Sequence, residues 1–246
     1  MMLRYQVLAA IAAMGLGVTP MAAQQPRSAA PIVVDVGGRA IKLLLPDGQC
    51  ALDRNQRYDA NVLDISSRAI QGANDLLLHT AGCKNLDDAR AGRTPYLNDF
   101  HQAQVALQFK QTELQGQEAA AAKEICQSLR SEGAQIEKEV GAEIKDRIKN
   151  LEAGIKVNET KALGVLAEDQ LACYSGLLMN VQTPTGDKRL ILGVYSMGVL
   201  NGRLIFLYHF RAEPPAGAVD RMVEQQKQIV RQHVAINNGQ TGSANK

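Results

Sequence analysis

The spacing of apolar residues changes several times along the chain, and each change marks a predicted element. Residues 32–45, IVVDV-GG-RAIKLLL, are two β-rich runs around Gly37-Gly38. Paired glycines permit the positive φ angles of a tight turn, so this segment predicts a β-hairpin. Pro46-Asp47-Gly48 then supplies ordinary turn chemistry. Val62, Ile65, Ala69, Ala73 and Leu76 recur at three and four, which predicts a helix over about 60–80 with Asp59 as N-cap and Gly82 as C′ glycine. Residues 84–99 have the composition of a loop, and Val105, Leu107 and Phe109 alternate as in a strand.

The charged region 115–156 follows. Ile125 and Leu129 predict a short helix that Gly133 interrupts. Ile136, Val140, Ile144, Ile148, Leu151 and Ile155 then form one narrow apolar stripe on a long amphipathic helix. Such a stripe ordinarily rests on the chain's own sheet; the alternative is a partner-binding face built from Ile136, Val140, Ile144 and Ile148. The last third returns to β: 161–166, 171–183, and the hairpin RLILGVYSMGVL-NG-RLIFLYHF, whose Asn201-Gly202 is a preferred type I′ pair. A final helix after Pro214-Pro215 carries Val219, Met222, Val223, Ile229, Val230 and Ile236. Tight-turned strands with helices between the groups predict an α+β fold, an antiparallel sheet flanked by α-helices.

The N-terminus adds a compartment. Arg4, the apolar run Val7–Val18 and the small residues around Ala22-Ala23 follow the grammar of a signal peptide, 1–23. That run is shorter than the about 20 residues a spanning helix needs. A linker at 24–31, a single domain over 32–237 that includes the helical region 115–156, and a polar, disordered tail at 238–246 complete the expected organisation. No transmembrane segment is expected after cleavage. A formal charge of +2 and no basic block argue against nucleic acid as a partner. Aromatic content of 4% without Trp disfavours a carbohydrate-stacking platform.

Candidate chemistry is sparse. Cys50, Cys83, Cys126 and Cys173 form no Cys-x-x-Cys pair. An even count in an exported chain reads as disulfides, and spacing alone leaves three pairings open. His79, His101, His209 and His233 are scattered and read as structural, since a zinc site needs three or four convergent ligands. Ser196, in VYSMG, lies inside a predicted strand instead of at a nucleophile elbow. Glu137, Glu139 and Glu143 alternate with Lys138, Lys145 and Arg147 as on a solvated face. The sequence therefore nominates no catalytic residue, no metal ligand and no cofactor.

LLLPDGQCALD together with NDLLLHTAGC resembles a family of exported proteobacterial proteins of unknown function. The resemblance rests on Leu45, Pro46, Gly48, Cys50, Leu52, Asp53, Asn74, Leu76, Leu77 and Cys83. The ending GVYSMGVLNGRLIFLYHFRAEP and its following helix are similar to that family's close. The element order is more distantly similar to the PsbP/Mog1-like fold, which implies a non-catalytic assembly or binding factor. The expectation is thus a periplasmic or secreted protein of a Gram-negative bacterium acting as a binding or assembly module, with an envelope protein as its partner. The alternative is a small-ligand carrier or a hydrolase-type enzyme whose site is built from sequence-distant residues. Among the cysteines, export and even count favour Cys50–Cys83, tying the end of a strand to the end of the first helix, with Cys126–Cys173 as the second pair.

Overall fold

The computed structural model describes residues 30–132, 156–183 and 185–239. The signal peptide, residues 24–29 of the linker, the acidic positions Glu137, Glu139 and Glu143, the stripe Ile136, Val140, Ile144 and Ile148, and the tail from 240 lie outside the described residues.

Strands β1 (Ile32–Val36) and β2 (Arg39–Leu43) form a separate two-stranded hairpin turning at Gly37-Gly38. The main sheet has seven strands, all antiparallel: β3 (Gln49–Ala51), β4 (Asn74–Gly82), β5 (Asp99–Ala106), β6 (Lys156–Glu168), β7 (Ala172–Gln182), β8 (Lys188–Leu200) and β9 (Arg203–Ala212). Their spatial order is β3-β4-β5-β9-β8-β7-β6. Two meanders, β3-β4-β5 and β6-β7-β8-β9, thus meet at one seam, β5 against β9. The helices are α1 (Arg57–Ile70), α2 (Cys83–Arg90), α3 (residues 118–132) and α4 (Ala218–Asn237). The fold is α+β, with an antiparallel sheet flanked by helices.

Strand alternation sorts the side chains into two faces. On one face, Ala103, Val105, Tyr174, Ile205 and Leu207 pack against Val36, Ile41 and Leu43 of the hairpin and Val230 of α4. On the other, Cys173, Met197 and Leu204 pack under Cys126, Ile125 and Leu129 of α3. Ser66 of α1 reaches His79 and Gln102 on that second face. The sheet is a middle layer, with α4 and the hairpin on one side and α1 and α3 on the other.

The Asn201-Gly202 hairpin forms with φ of 46° and 79°, the left-handed pair a type I′ turn requires. Three other expectations are corrected. The first helix ends at Ile70, and 74–82 is strand β4, paired along its length with β5. Its Leu76-Leu77-Leu78 run satisfies a helical stripe and a buried strand equally well, and backbone pairing decides. Gly72, at φ 83°, makes the break. Residues 83–90 are helical instead of loop, because Leu86 and Ala89 are buried one turn apart. Asp59 is not a cap: Gln56 holds that position, while Asp59 is fully buried and bound by the Arg90 guanidinium at 2.6 and 3.1 Å.

Both disulfides are formed. Cys50–Cys83 joins β3 to the first residue of α2, at the sheet edge instead of at the end of α1. Cys126–Cys173 fastens α3 to β7. The second pair closes 47 residues, which the chain-entropy relation values at about 4 kcal/mol. A Cys126→Ala/Cys173→Ala variant is therefore expected to lose roughly 3–4 kcal/mol in urea unfolding, with α3 the first segment to lose amide protection.

Candidate functional site

The seam between the two meanders gathers most of the convergent polar chemistry. β5 reads Asp-Phe-His over 99–101 and β9 reads His-Phe-Arg over 209–211, and antiparallel register sets them rung against rung: Asp99 opposite Arg211, Phe100 opposite Phe210, His101 opposite His209. Each rung is a matched pair. Arg211 forks Asp99 Oδ2 at 2.6 and 3.0 Å. The phenyl rings stack at 4.9 Å and the imidazoles at 4.0 Å, 17° apart.

Asp99 organises the cluster. Its Oδ1 accepts from Gln49 Nε2 of β3 at 3.1 Å and lies 3.2 Å from His209 Nε2. Burial alone would raise this carboxyl, but the His209 hydrogen bond and the charges of His209, His101 and Arg211 hold it down at about 2. Asp99 is thus an anion at neutral pH, and His209 Nε2 lies in hydrogen-bond reach of it while the buried Nδ1 of the same ring has no partner among the described residues. His101 Nε2 is 3.8 Å from the same oxygen, outside hydrogen-bond reach. Burial first, and then the His209 charge, push His101 down to about 3.

Asp99, His101 and His209 each present a ligand atom within 4.8 Å of the others, which invites comparison with a metal centre. The donors do not suit one. Nearly parallel rings direct their lone pairs side by side instead of onto one point. The carboxylate is already engaged by three donor groups, and a cation there would sit beside the Arg211 guanidinium. A ligating imidazole also needs a partner for its second nitrogen, and His209 Nδ1 has none. The cluster is an internal ion pair with stacked imidazoles, brought together from the two halves of the chain.

Next to it, His101, Thr80, Gln226, Ile229, His233 and Leu44 border a pocket between the sheet, α4 and the β2–β3 connection. It offers about 20 Å³ to a water-sized sphere, room for roughly one water and no more. Ser196 is not exposed at an elbow; its hydroxyl accepts from Gln226 Nε2 at 3.0 Å inside β8. His79 lies on the opposite face beside Ser66 and Gln102, and burial drives it down to about 4.

That opposite face carries the second feature. Phe206, Tyr208 and Phe210 alternate along β9, half-buried, with Tyr208 and Phe210 rings 5.8 Å apart and 3° from parallel. Phe100 extends the row onto β5 and Tyr195 onto β8. Gly193 makes room for it, since a Cβ there would lie 2.9 Å from the Phe210 ring. Asn74, Gln104 and Gln102 form a chain of amide hydrogen bonds of 2.8 and 2.7 Å alongside. Sequence reasoning weighed total aromatic content and overlooked this row, although the period-two spacing of Phe206, Tyr208 and Phe210 was readable.

Compared with known proteins, the chain matches no family model and no curated sequence.

Two measurements check the cluster. Asp99→Asn removes the charge that Arg211 and His209 share, and is expected to cost roughly 2–3 kcal/mol in denaturant unfolding, because Arg211 keeps its charge without an ionic partner. Stability should also be highest above pH 6.5. His79 and His101 are depressed in the folded state, so below 6.5 the unfolded chain takes up protons first, and each should cost on the order of 3 kcal/mol by pH 4. Between the ordinary carboxylate value and about 2, protonation of Asp99 adds to the loss.

Proposed function

We propose that this chain is an exported, non-catalytic binding or assembly module that engages an envelope protein through the aromatic row of β9. The half-buried alignment of Phe206, Tyr208 and Phe210, continued by Phe100 and Tyr195, carries this reading. Aromatic side chains supply large contact area at low entropic cost and anchor protein interfaces. Half of the chain's ten Phe and Tyr residues (4 + 6) lie on this one face. Export is supported by the N-terminal signal pattern and by two disulfides. No helix of the described residues is long and apolar enough to cross a membrane. Nucleic acid is not the partner proposed, since no basic block accompanies the row.

The resemblance to exported proteobacterial proteins and to the PsbP/Mog1-like fold agrees with this class of function, and periplasm is the compartment proposed. A small-ligand carrier or hydrolase-type site has less support: the pocket beside His101 holds about 20 Å³, and the charged groups nearest it are committed to one another.

A photoreactive residue at position 208 or 210 should crosslink a specific envelope protein in cells, while the same residue at Val33, 60% exposed on the hairpin, should not. With the captured protein purified, Tyr208→Ala/Phe210→Ala should weaken binding at least about tenfold at unchanged fold. Unchanged affinity, or a co-purifying metabolite with no captured protein, would place the function in another class.

A further inference from the structure

The two outer layers of the molecule are held by different means. Cys126–Cys173 binds α3 to β7, and Cys50–Cys83 binds β3 to α2. Neither disulfide reaches α4 or the β1–β2 hairpin. Besides apolar packing, hydrogen bonds of Gln226, Asn237, His233 and Lys42 fasten α4 among the described residues. Gln226 Nε2 donates to the Leu207 carbonyl at 2.6 Å and to Ser196 at 3.0 Å. Asn237 accepts from Lys42 N–H at 2.9 Å and donates to its carbonyl at 2.8 Å. His233 accepts the Leu44 N–H on Nε2 at 3.0 Å.

The His233 tie depends on protonation. Its Nδ1–H donates to the Ile229 carbonyl one turn back, at 2.8 Å, so Nε2 must be the bare nitrogen to receive Leu44. A proton on Nε2 removes that acceptor and sets N–H against N–H. Across the same pocket stands His101, which makes no hydrogen bond to a described residue and stacks on His209. The groups facing this pair can be named element by element. β5 brings Asp99, β9 brings His209 and Arg211, β3 and β4 bring the neutral Gln49 and Thr80, and Lys42 of β2 reaches the end of α4 at the Ile236 carbonyl. Asp99 is already forked by Arg211, and no carboxylate lines the pocket among the described residues. Protons added here would therefore enter a mostly buried interface beside the Asp99–Arg211 pair, whose charges offset one another.

We propose that α4 forms an acid-released layer, in which protonation of His233 and His101 detaches it from the Leu44 backbone and from a sheet that the disulfides keep folded, uncovering Leu192 and Val194 beneath it, while Arg203 keeps the β1–β2 hairpin in place. Burial lowers both imidazoles, so the closed form stays unprotonated at neutral pH and opening takes the protons up. Linkage then gives roughly a tenfold rise in the opened population per pH unit for each proton bound, starting below the ordinary histidine value of 6.5. The uncovered face is apolar and is distinct from the aromatic row on the other side of the sheet, so this inference does not rest on the proposed function.

Hydrogen exchange followed by mass spectrometry from pH 7.5 to 4.5, corrected for intrinsic rates, tests it on the intact mature protein. Peptides covering 218–237 should lose protection between pH 6.5 and 4.5 while 172–182 and 203–208 keep theirs. His101→Phe/His233→Gln, which retains an aromatic stack and an acceptor for Leu44 but cannot charge, should flatten that response by at least tenfold at pH 5. Simultaneous loss of protection in α4 and β7 in the wild-type protein overturns the proposal whether or not the variant folds. So does a variant that folds and opens with the wild-type pH profile.

Discussion

The structure depends on one strand pairing between residues more than a hundred positions apart. β5 and β9 are the seam where two antiparallel meanders become one sheet, and without it neither α1 nor α4 has a full surface to pack on. Every other ladder in the sheet joins strands consecutive in sequence, with low closure cost. The seam is also where the side chains are most closely matched, with an ion pair, a phenyl stack and an imidazole stack on three successive rungs. Such pairs fix register, because a one-residue slip would set Asp99 against a phenyl ring and turn both rows to the wrong face.

Arg203, at the start of β9, does comparable work for the hairpin. Its buried guanidinium donates to the carbonyls of Val36, Gly37 and Thr112 and pairs with Glu113, so the β1–β2 turn and the approach to α3 are held by one side chain. β9 therefore organises the molecule through three functions along ten residues: hairpin anchor, aromatic row and seam. Among the described residues, the outermost strands of the sheet lie far from it. One is the three-residue β3, stapled by Cys50–Cys83, and the other is β6, whose pairing is broken by three register shifts, both ordinary ways to discourage edge-to-edge association.

Much of this was legible from the sequence, and the boundary of legibility is physical. Asn201-Gly202, Gly37-Gly38 and the stripe of α4 are local signals, and local signals gave the closing hairpin, the N-terminal hairpin and the last helix. β4 was misread because three consecutive leucines carry no period, and only pairing with β5 selects strand over helix. Asp99, His101, His209 and Arg211 were visible as residues, but their convergence is a property of the seam, which no local pattern encodes. Once the register is known, DFH against HFR is self-complementary, so the information was present without an address. The aromatic row was within reach, because composition hides what alternation shows: ten aromatics are few for 246 residues, yet five share one face.

The titratable groups of the seam and its pocket are engaged in holding the described fold. General acid–base work needs a group poised near the operating pH and free to reach a substrate. His79, His101 and His233 are displaced downward by burial, and the Asp99 carboxylate is bound on both oxygens by its neighbours. These groups spend their polarity inside the protein, aligning strands and setting layers. The rings of Phe206, Tyr208 and Phe210 are held in near-parallel array and only partly buried, with Phe206 and the neighbouring Tyr195 packed against the cluster under α3. Under the proposed function, a partner's apolar surface would cover what remains exposed of that row.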